Sequence, residues 1–340
     1  MKVAVVRNRE NLGVIRNFGQ TCPEKYGRRS VQNIVDALRE GGHIVEILEG
    51  DMTLPCRLKQ FFKTENTTSM PPGIVFNLAY GIQGESRYSH ILSMLEMLGV
   101  PYTGAGPTGQ VLCLDKVLTK IILQNTGLPT PNCIVTSFPD PDLSGLVFPL
   151  IVKPRHESTS YGLQLVSNKE ELHVAIKLVV DQYQQDALVE QFIEGRELSV
   201  CIIGNQQVNC LPFVEFDYNG RDLQTLTWED KYHKCPDEPK KICPAEMSHT
   251  QKMKLQEIAI SAFINCQCRD YAKIDIRLDS AGQPYILEIN SIPSLGPGAS
   301  FTFAARHAGL NMRSMDCSIL NSACIRYFGP DAKYSQVQGL

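Results

Sequence analysis

Apolar positions recur along this chain at two spacings. Residues 3–6 form a short continuous apolar run, as a buried strand does. Val31, Ile34, Val35 and Leu38 follow at the three- and four-residue spacing of a helix, Gly41-Gly42 ends it, and residues 44–48 start a second strand. Residues 49–72 are polar and irregular up to Pro71-Pro72. A third strand over 74–78 runs into Gly81-Ile82-Gln83-Gly84-Glu85, and a helix over 89–98 ends at Gly99. This order predicts a small parallel α/β unit, with its ligand edge at the carboxyl ends of the strands, near residues 7–25 and 79–90.

Residues 101–107 read as a hinge into a middle segment. There the pattern predicts a helix over 108–125, strands over 132–136 and 148–153, a helix over 169–183 and a strand over 187–192. From Gly195 onward it is strand-rich, with one long helix over 248–264. The segment 219–245 is long and polar, with Glu229, Asp230, Lys231 and Lys234 clustered in it, and loops of that length are usually functional or mobile. The expected division is 1–104, 105–193 and 194–325, with 326–340 as a tail.

Composition narrows the class. With 340 residues, 43% of them hydrophobic, the chain can build two or three cores. A formal charge of −3 gives no basic field for nucleic acid or an anionic membrane. The longest apolar runs fall short of the roughly 18–20 residues of a membrane span, and the N-terminus does not read as a signal peptide. A cytoplasmic protein without nucleic-acid or membrane partners is expected. The twelve cysteines are scattered and read as reduced thiols. His233, Cys235 and Cys243 lack the paired spacing of a zinc site.

The chemistry concentrates in a predicted hairpin. Residues 271–278 form its first arm, Asp279-Ser280-Ala281-Gly282 the turn, and residues 284–290 the return arm. Alternation puts Lys273, Asp275 and Arg277 on one face, and Ile286, Glu288 and Asn290 together on the return arm. Asp275, Glu288 and Asn290 offer the hard oxygens that Mg²⁺ prefers; an exposed charged sheet face is the plainer account. Lys153 ends an apolar strand before Pro154, and the hydroxyl-rich loop 157–162 can close its N–H groups over phosphates. Lys116 lies on a helix that reaches the same anion, although a lone helical lysine is usually solvated. Residues 188–197 carry a strand into a turn with Glu194 and Glu197, a connector able to present backbone groups to a purine edge.

In this order, Val75-Phe76-Asn77-Leu78, Pro101-Tyr102-Thr103-Gly104, Leu114-Asp115-Lys116, Ile151-Val152-Lys153-Pro154, Val189-Glu190-Gln191-Phe192-Ile193-Glu194-Gly195-Arg196-Glu197, Cys243-Pro244-Ala245 and Leu287-Glu288-Ile289-Asn290 resemble the D-alanine–D-alanine ligase-like branch of the ATP-grasp superfamily. The resemblance spans about 74–310. It implies an α/β ATP-grasp fold, with a small N-terminal parallel α/β subdomain and two α+β subdomains clamping ATP. It further implies Lys116 and Lys153 on the nucleotide phosphates, and Thr159 and Ser160 in the phosphate-covering loop. Glu190, Gln191 and Phe192 would form the adenine hinge, with Glu197 on ribose. Asp275, Glu288 and Asn290 would hold two Mg²⁺ ions, with Mn²⁺ as the alternative. Lys231 and Tyr232 would belong to a loop closing over the γ-phosphate. The implied reaction is an ATP-dependent carboxylate–amine ligation through an acyl phosphate, and the implied assembly a homodimer.

The chain departs from this pattern at the acceptor side. Lys273 stands where relatives carry an arginine, which keeps the charge and loses the planar fork. Ser158 replaces a glycine, Tyr161 is bulky, and Tyr80 replaces a histidine. For substrate contacts the resemblance offers Glu24, Tyr232, Ser294 and Ser300. These departures leave three readings: a D-alanine ligase, a ligase for L-amino acids or for an amino acid with a non-peptide acid, and a nucleotide-binding protein that no longer catalyses.

Overall fold

The computed structural model describes residues 1–9, 14–17, 20–22, 24, 26–63, 73–221, 224–232 and 237–330. The chain begins with β1 (Lys2–Arg7), β2 (Val14–Asn17), β3 (Gln20–Cys22), α1 (Arg28–Glu40), β4 (Ile44–Glu49), α2 (Leu54–Phe62), β5 (Gly73–Asn77) and α3 (His90–Met97). A parallel sheet of order β4-β1-β5 forms the expected N-terminal unit. The segment read as irregular contains α2, whose Leu54, Leu58 and Phe62 are buried at helical spacing. Pro55 near its start and the polar residues around it hid that period.

The expected helix over 108–125 is two helices, α4 (Pro107–Leu114) and α5 (Lys116–Asn125). Asp115 breaks them because its backbone is extended and its carboxylate accepts from the Val117 and Leu118 N–H groups as an N-cap. Lys116 thereby becomes the first residue of α5. Next come β6 (Cys133–Thr136), β7 (Leu150–Pro154), β8 (Gln164–Val166), α6 (Lys169–Leu178) and β9 (Ala187–Gln191). They build an antiparallel sheet of order β6-β9-β7-β8.

The third sheet is larger, built from β10 (Arg196–Ile203), β11 (Asn209–Cys210), β12 (Val214–Asp217), β13 (Lys240–Ile242), β14 (Tyr271–Leu278) and β15 (Pro284–Asn290), with α7 (Trp228–Tyr232) and α8 (His249–Asn265) between them. Its order is β13-β12-β10-β14-β15, with β11 beside β10. Leu198, Val200 and Ile202 of β10 and Ala272, Ile274 and Ile276 of β14 pack under Leu255, Ala259 and Phe263 of α8. The other face carries Glu197 opposite Arg277, Ser199 opposite Asp275 and Cys201 opposite Lys273. One strand thus serves a core and a polar cleft through period-two alternation.

Two further helices, α9 (Ser300–His307) and α10 (Met312–Phe328), were not legible in the pattern. Helix α9 is short and buries Phe301, Ala304 and Ala305 on one side, whereas α10 is buried broadly, packing Met315, Cys317, Ile319, Leu320 and Ala323 with α1 and β1 in one core. Among the described residues no helix is long and apolar enough to cross a membrane.

Gly195, between β9 and β10, has φ +135°, and a Cβ there would lie 2.0 Å from the Leu278 carbonyl oxygen. Gly195→Ala is expected to lower stability by about 2–4 kcal/mol through strain and overpacking, read from the urea unfolding midpoint. An unchanged midpoint would mean that β10 can leave β14 at little cost.

Candidate active site

The middle and large sheets face each other across a cleft. From β7, Lys153 forms a buried ion pair with Glu190 of β9, and Lys120 of α5 approaches the same carboxylate at 2.9 Å. Burial opposes the charge on all three. Glu190 nevertheless has its pKa lowered by Lys120 and Lys153, and the pKa of Lys153 is raised by Glu190 and Glu288. The Glu190 side chain therefore points into a lysine clamp, while its backbone belongs to the connector. Lys120 escaped the sequence reading, although it lies four residues after Lys116 on the same helical face.

The connector is held from both sides. The Gln191 side chain turns outward, its amide bonding the Val147 backbone at 2.8 and 3.0 Å, so its backbone is what remains for the cleft. Arg277, fully buried, donates to the Ile193 carbonyl at 2.9 Å, lies 4.7 Å from the Phe192 ring centroid and approaches Glu197 at 3.5 Å. Tyr218 donates to Glu197 at 2.8 Å. Burial raises the pKa of Glu197, with Arg277 and Tyr218 opposing. Arg277 was placed on this face by alternation but given no role.

At the cleft floor Asp275, Glu288 and Asn290 come together. Asn290 Nδ2 lies 3.1 Å from Asp275 Oδ2 and 3.3 Å from Glu288 Oε1, and Ser199 donates to Asp275 at 2.7 Å. Lys273 Nζ lies 2.7 and 2.5 Å from the Asp275 oxygens. Burial works against ionisation of Glu288, but Lys116, Lys231, Lys273 and Lys153 outweigh it and hold its pKa at about 2. The return arm does not alternate as expected. A bulge makes Asp275 pair with Glu288 and Ile276 with Ile286, so Leu287 is an extra residue. Ile286 and Ile289 both enter the core, while Leu287 and Glu288 both line the cleft.

Two loops cover the cleft. Thr159 and Ser160 have φ of 57° and 59°, a left-handed conformation rare for side chains with a Cβ. Lys231 at the end of α7 donates to Ser160 at 2.8 Å, and Tyr161 packs between Tyr183 and Trp228 with centroids 5.3 and 5.7 Å away. The bulk of Tyr161 thus joins the two loops. Lys116, buried, donates to the Glu157 carbonyl; burial, then Lys153 and Arg87, lowers its pKa to about 8 against the pull of Glu288 and Glu157. Tyr232 ends α7, and its side chain lies outside the described residues, as do His233 and Cys235.

Beyond Glu288 the cleft opens into a cavity of about 680 Å³. Glu24 lies in its wall, accepting from the Tyr88 hydroxyl, the Ser158 hydroxyl and, at 3.3 Å, Arg87. Ser294 and Ser300 also line it, as do Tyr26, Tyr80 and Tyr88, with Tyr26 stacked on Tyr80 and Tyr88 tilted against it. Ser158, Arg87 and Glu157 join Glu24 to the loop over the cleft, links that only the tertiary structure brings together.

A parallel sheet preceding two antiparallel sheets that face each other across such a cleft is the ATP-grasp arrangement. The family model for the C-terminus of D-Ala–D-Ala ligases matches residues 135–321, and the chain belongs to the D-alanine–D-alanine ligase family. It is 32% identical to the D-alanine–D-alanine ligase of Pelotomaculum thermopropionicum over 70% of this chain and 76% of that one. It is 44% identical to y4sG of Sinorhizobium fredii, itself of uncharacterized function, over 97% and 98% of the two chains. The crystal structure of the Bacillus anthracis D-alanine–D-alanine ligase complexed with ATP superposes with a TM-score of 0.73 at 20% identity, covering 95% of this chain and 97% of that one.

The clamp generates a test. Glu190→Ala would leave Lys120 and Lys153 buried without their counter-ion, a loss of about 3–5 kcal/mol. Lys120→Met in the Glu190→Ala background should recover part of it in chemical denaturation. No recovery would assign the loss to packing alone.

Proposed function

We propose that this family member activates a carboxylate with ATP and joins it to an amine. It is an ATP-dependent carboxylate–amine ligase, and amino acids are its class of substrate. The observation that carries this reading is the convergence of Lys116, Lys153, Lys231 and Lys273 on Glu288, beside Asp275 and Asn290, where the narrow cleft meets the larger cavity. Such a junction lets a phosphoryl group pass from nucleotide to acid between fixed charges.

Lys116 and Lys153 offset phosphate charge, while Thr159, Ser160 and Lys231 cover it. The Gln191–Phe192–Ile193 backbone takes the adenine, and Glu197 takes the ribose hydroxyls. Asn290 lies within hydrogen-bonding distance of both Asp275 and Glu288, and the three supply hard oxygens, a set that fits Mg²⁺ or Mn²⁺. Two such ions, when bound, neutralise charge on the transferring phosphate. Transfer to the carboxylate gives an acyl phosphate and ADP; the amine attacks its carbonyl, and phosphate leaves as the amide forms. The joined loops exclude water that would otherwise hydrolyse the acyl phosphate.

Glu24 favours a specialised ligase over one that condenses two D-alanines. Its carboxylate is already engaged by Arg87, Tyr88 and Ser158, which weakens it as an ammonium site. Phosphate release from ATP with separate D- and L-amino acid pools tests both points. Asp275→Asn with Glu288→Gln is expected to lower that release about 100-fold or more. Release unaffected by the double change would sink the assignment of the cleft floor.

Lys116 adds a pH dependence. Its pKa of about 8 means that it is protonated below that pH and loses its charge above it. ATP affinity in titrations should therefore fall as pH rises through about 8, and Lys116→Arg should remove that fall. A flat profile in the parent protein would place Lys116 away from the phosphates.

A further inference from the structure

Lys241 lies outside the machinery described above. It sits on β13, the edge strand of the large sheet, where the register sets it opposite Phe216. Opposed residues of an antiparallel pair share a face, and Phe216 lines both the cleft and the larger cavity. Lys241 is accordingly half-buried in the cavity wall, while its neighbours Lys240 and Ile242 are exposed. Its ammonium lies 5.8 Å from the Phe216 ring centroid. Among the described residues it has no carboxylate within ion-pair distance; Glu238 attracts it at longer range and Lys273 repels it, both smaller than the effect of burial, which lowers its pKa.

Among the described residues, the other cations around this cavity are engaged. Lys116 meets the Glu157 carbonyl, Lys231 meets Ser160, Lys273 meets Asp275, and Arg87 meets Glu24 and Glu157. A partly desolvated ammonium without a counter-ion raises the free energy of the empty site, and a ligand carboxylate would offset that cost through a charge-assisted hydrogen bond. The cavity has room for such a ligand: about 680 Å³ lies in the range of about 300–1,000 Å³ that drug-sized molecules occupy.

We propose that the acid activated by this protein is dicarboxylic, with one carboxylate beside Lys273 and Glu288 and the other paired with Lys241. The inference rests on the ligase reading, since it assigns the cavity to that reaction's acid. The pair sets which acid is accepted, and it leaves the nucleotide side unchanged.

Calorimetric binding of glutarate and of butyrate, to the full chain loaded with Mg²⁺ and a non-hydrolysable ATP analogue, tests it. Glutarate should bind at least about tenfold tighter, Lys241→Met should erase that preference, and Lys241→Arg should keep most of it. Equal affinities in the parent protein, or a preference that survives Lys241→Met, would overturn the assignment. Turnover separates this from the broader reading. Amide formation from monocarboxylic acids alone, with KM unchanged by Lys241→Met, would sink the dicarboxylic assignment and leave the ligase standing. No amide from any acid, with the glutarate preference intact, would be a failure of the ligase reading, and the activation step would fall with it.

Discussion

Glu288 is one carboxylate facing four lysines, and each lysine comes from a different part of the chain: the start of α5, the end of β7, the end of α7 and the middle of β14. Buried charges of one sign are tolerated only where an opposite charge balances them. The balance requires the two antiparallel sheets to stay face to face, because Lys153 belongs to one and Lys273 to the other. It also requires α5 to start where it does, since the Asp115 cap directs Lys116 toward the cleft floor. The extra residue in β15 meets the same requirement: it lets Ile286 remain in the core while Glu288 turns into the cleft.

The loops close by geometry that the charge pattern alone does not explain. Thr159 and Ser160 hold left-handed backbones, an arrangement that costs on the order of 1–3 kcal/mol each. Tyr161 wedged between Tyr183 and Trp228, together with Lys231 on Ser160, supplies contacts that offset this cost. Strain of this kind fits a segment that must sit over a ligand and still release it. Tyr161 is thus part of the closure.

The strands and the cleft floor were legible because their signals are local. Period-two alternation placed Lys273, Asp275 and Arg277 correctly, and the Asp279–Gly282 turn formed where its residues demanded. What failed was information carried by tertiary contact. A bulge at Leu287 depends on how β15 meets β14, so the face of Ile286 was misread. Helix α10 is apolar on several sides because α1 and the large sheet both cover it, which erases the single stripe that sequence patterns reveal. Lys120 looked like a surface lysine until Glu190, seventy residues away in sequence, was brought against it.

The same division between local and tertiary information separates what this family member shares from what it changes. The side chains of the narrow cleft stand mainly on strands, where register fixes their direction. The cavity beyond Glu288 is walled in large part by residues outside the strands, among them Glu24, Tyr26, Tyr80, Tyr88, Ser294 and Pro297. Connections accept substitution without disturbing the sheets. Around this cavity Arg87 occupies Glu24, and Lys273 of β14 occupies Asp275. Among the described residues, Lys241 of β13 has no carboxylate within ion-pair distance. Each of these arrangements sets charge through side chains, and charge set in this way can be altered without moving the backbone that holds the sheets together.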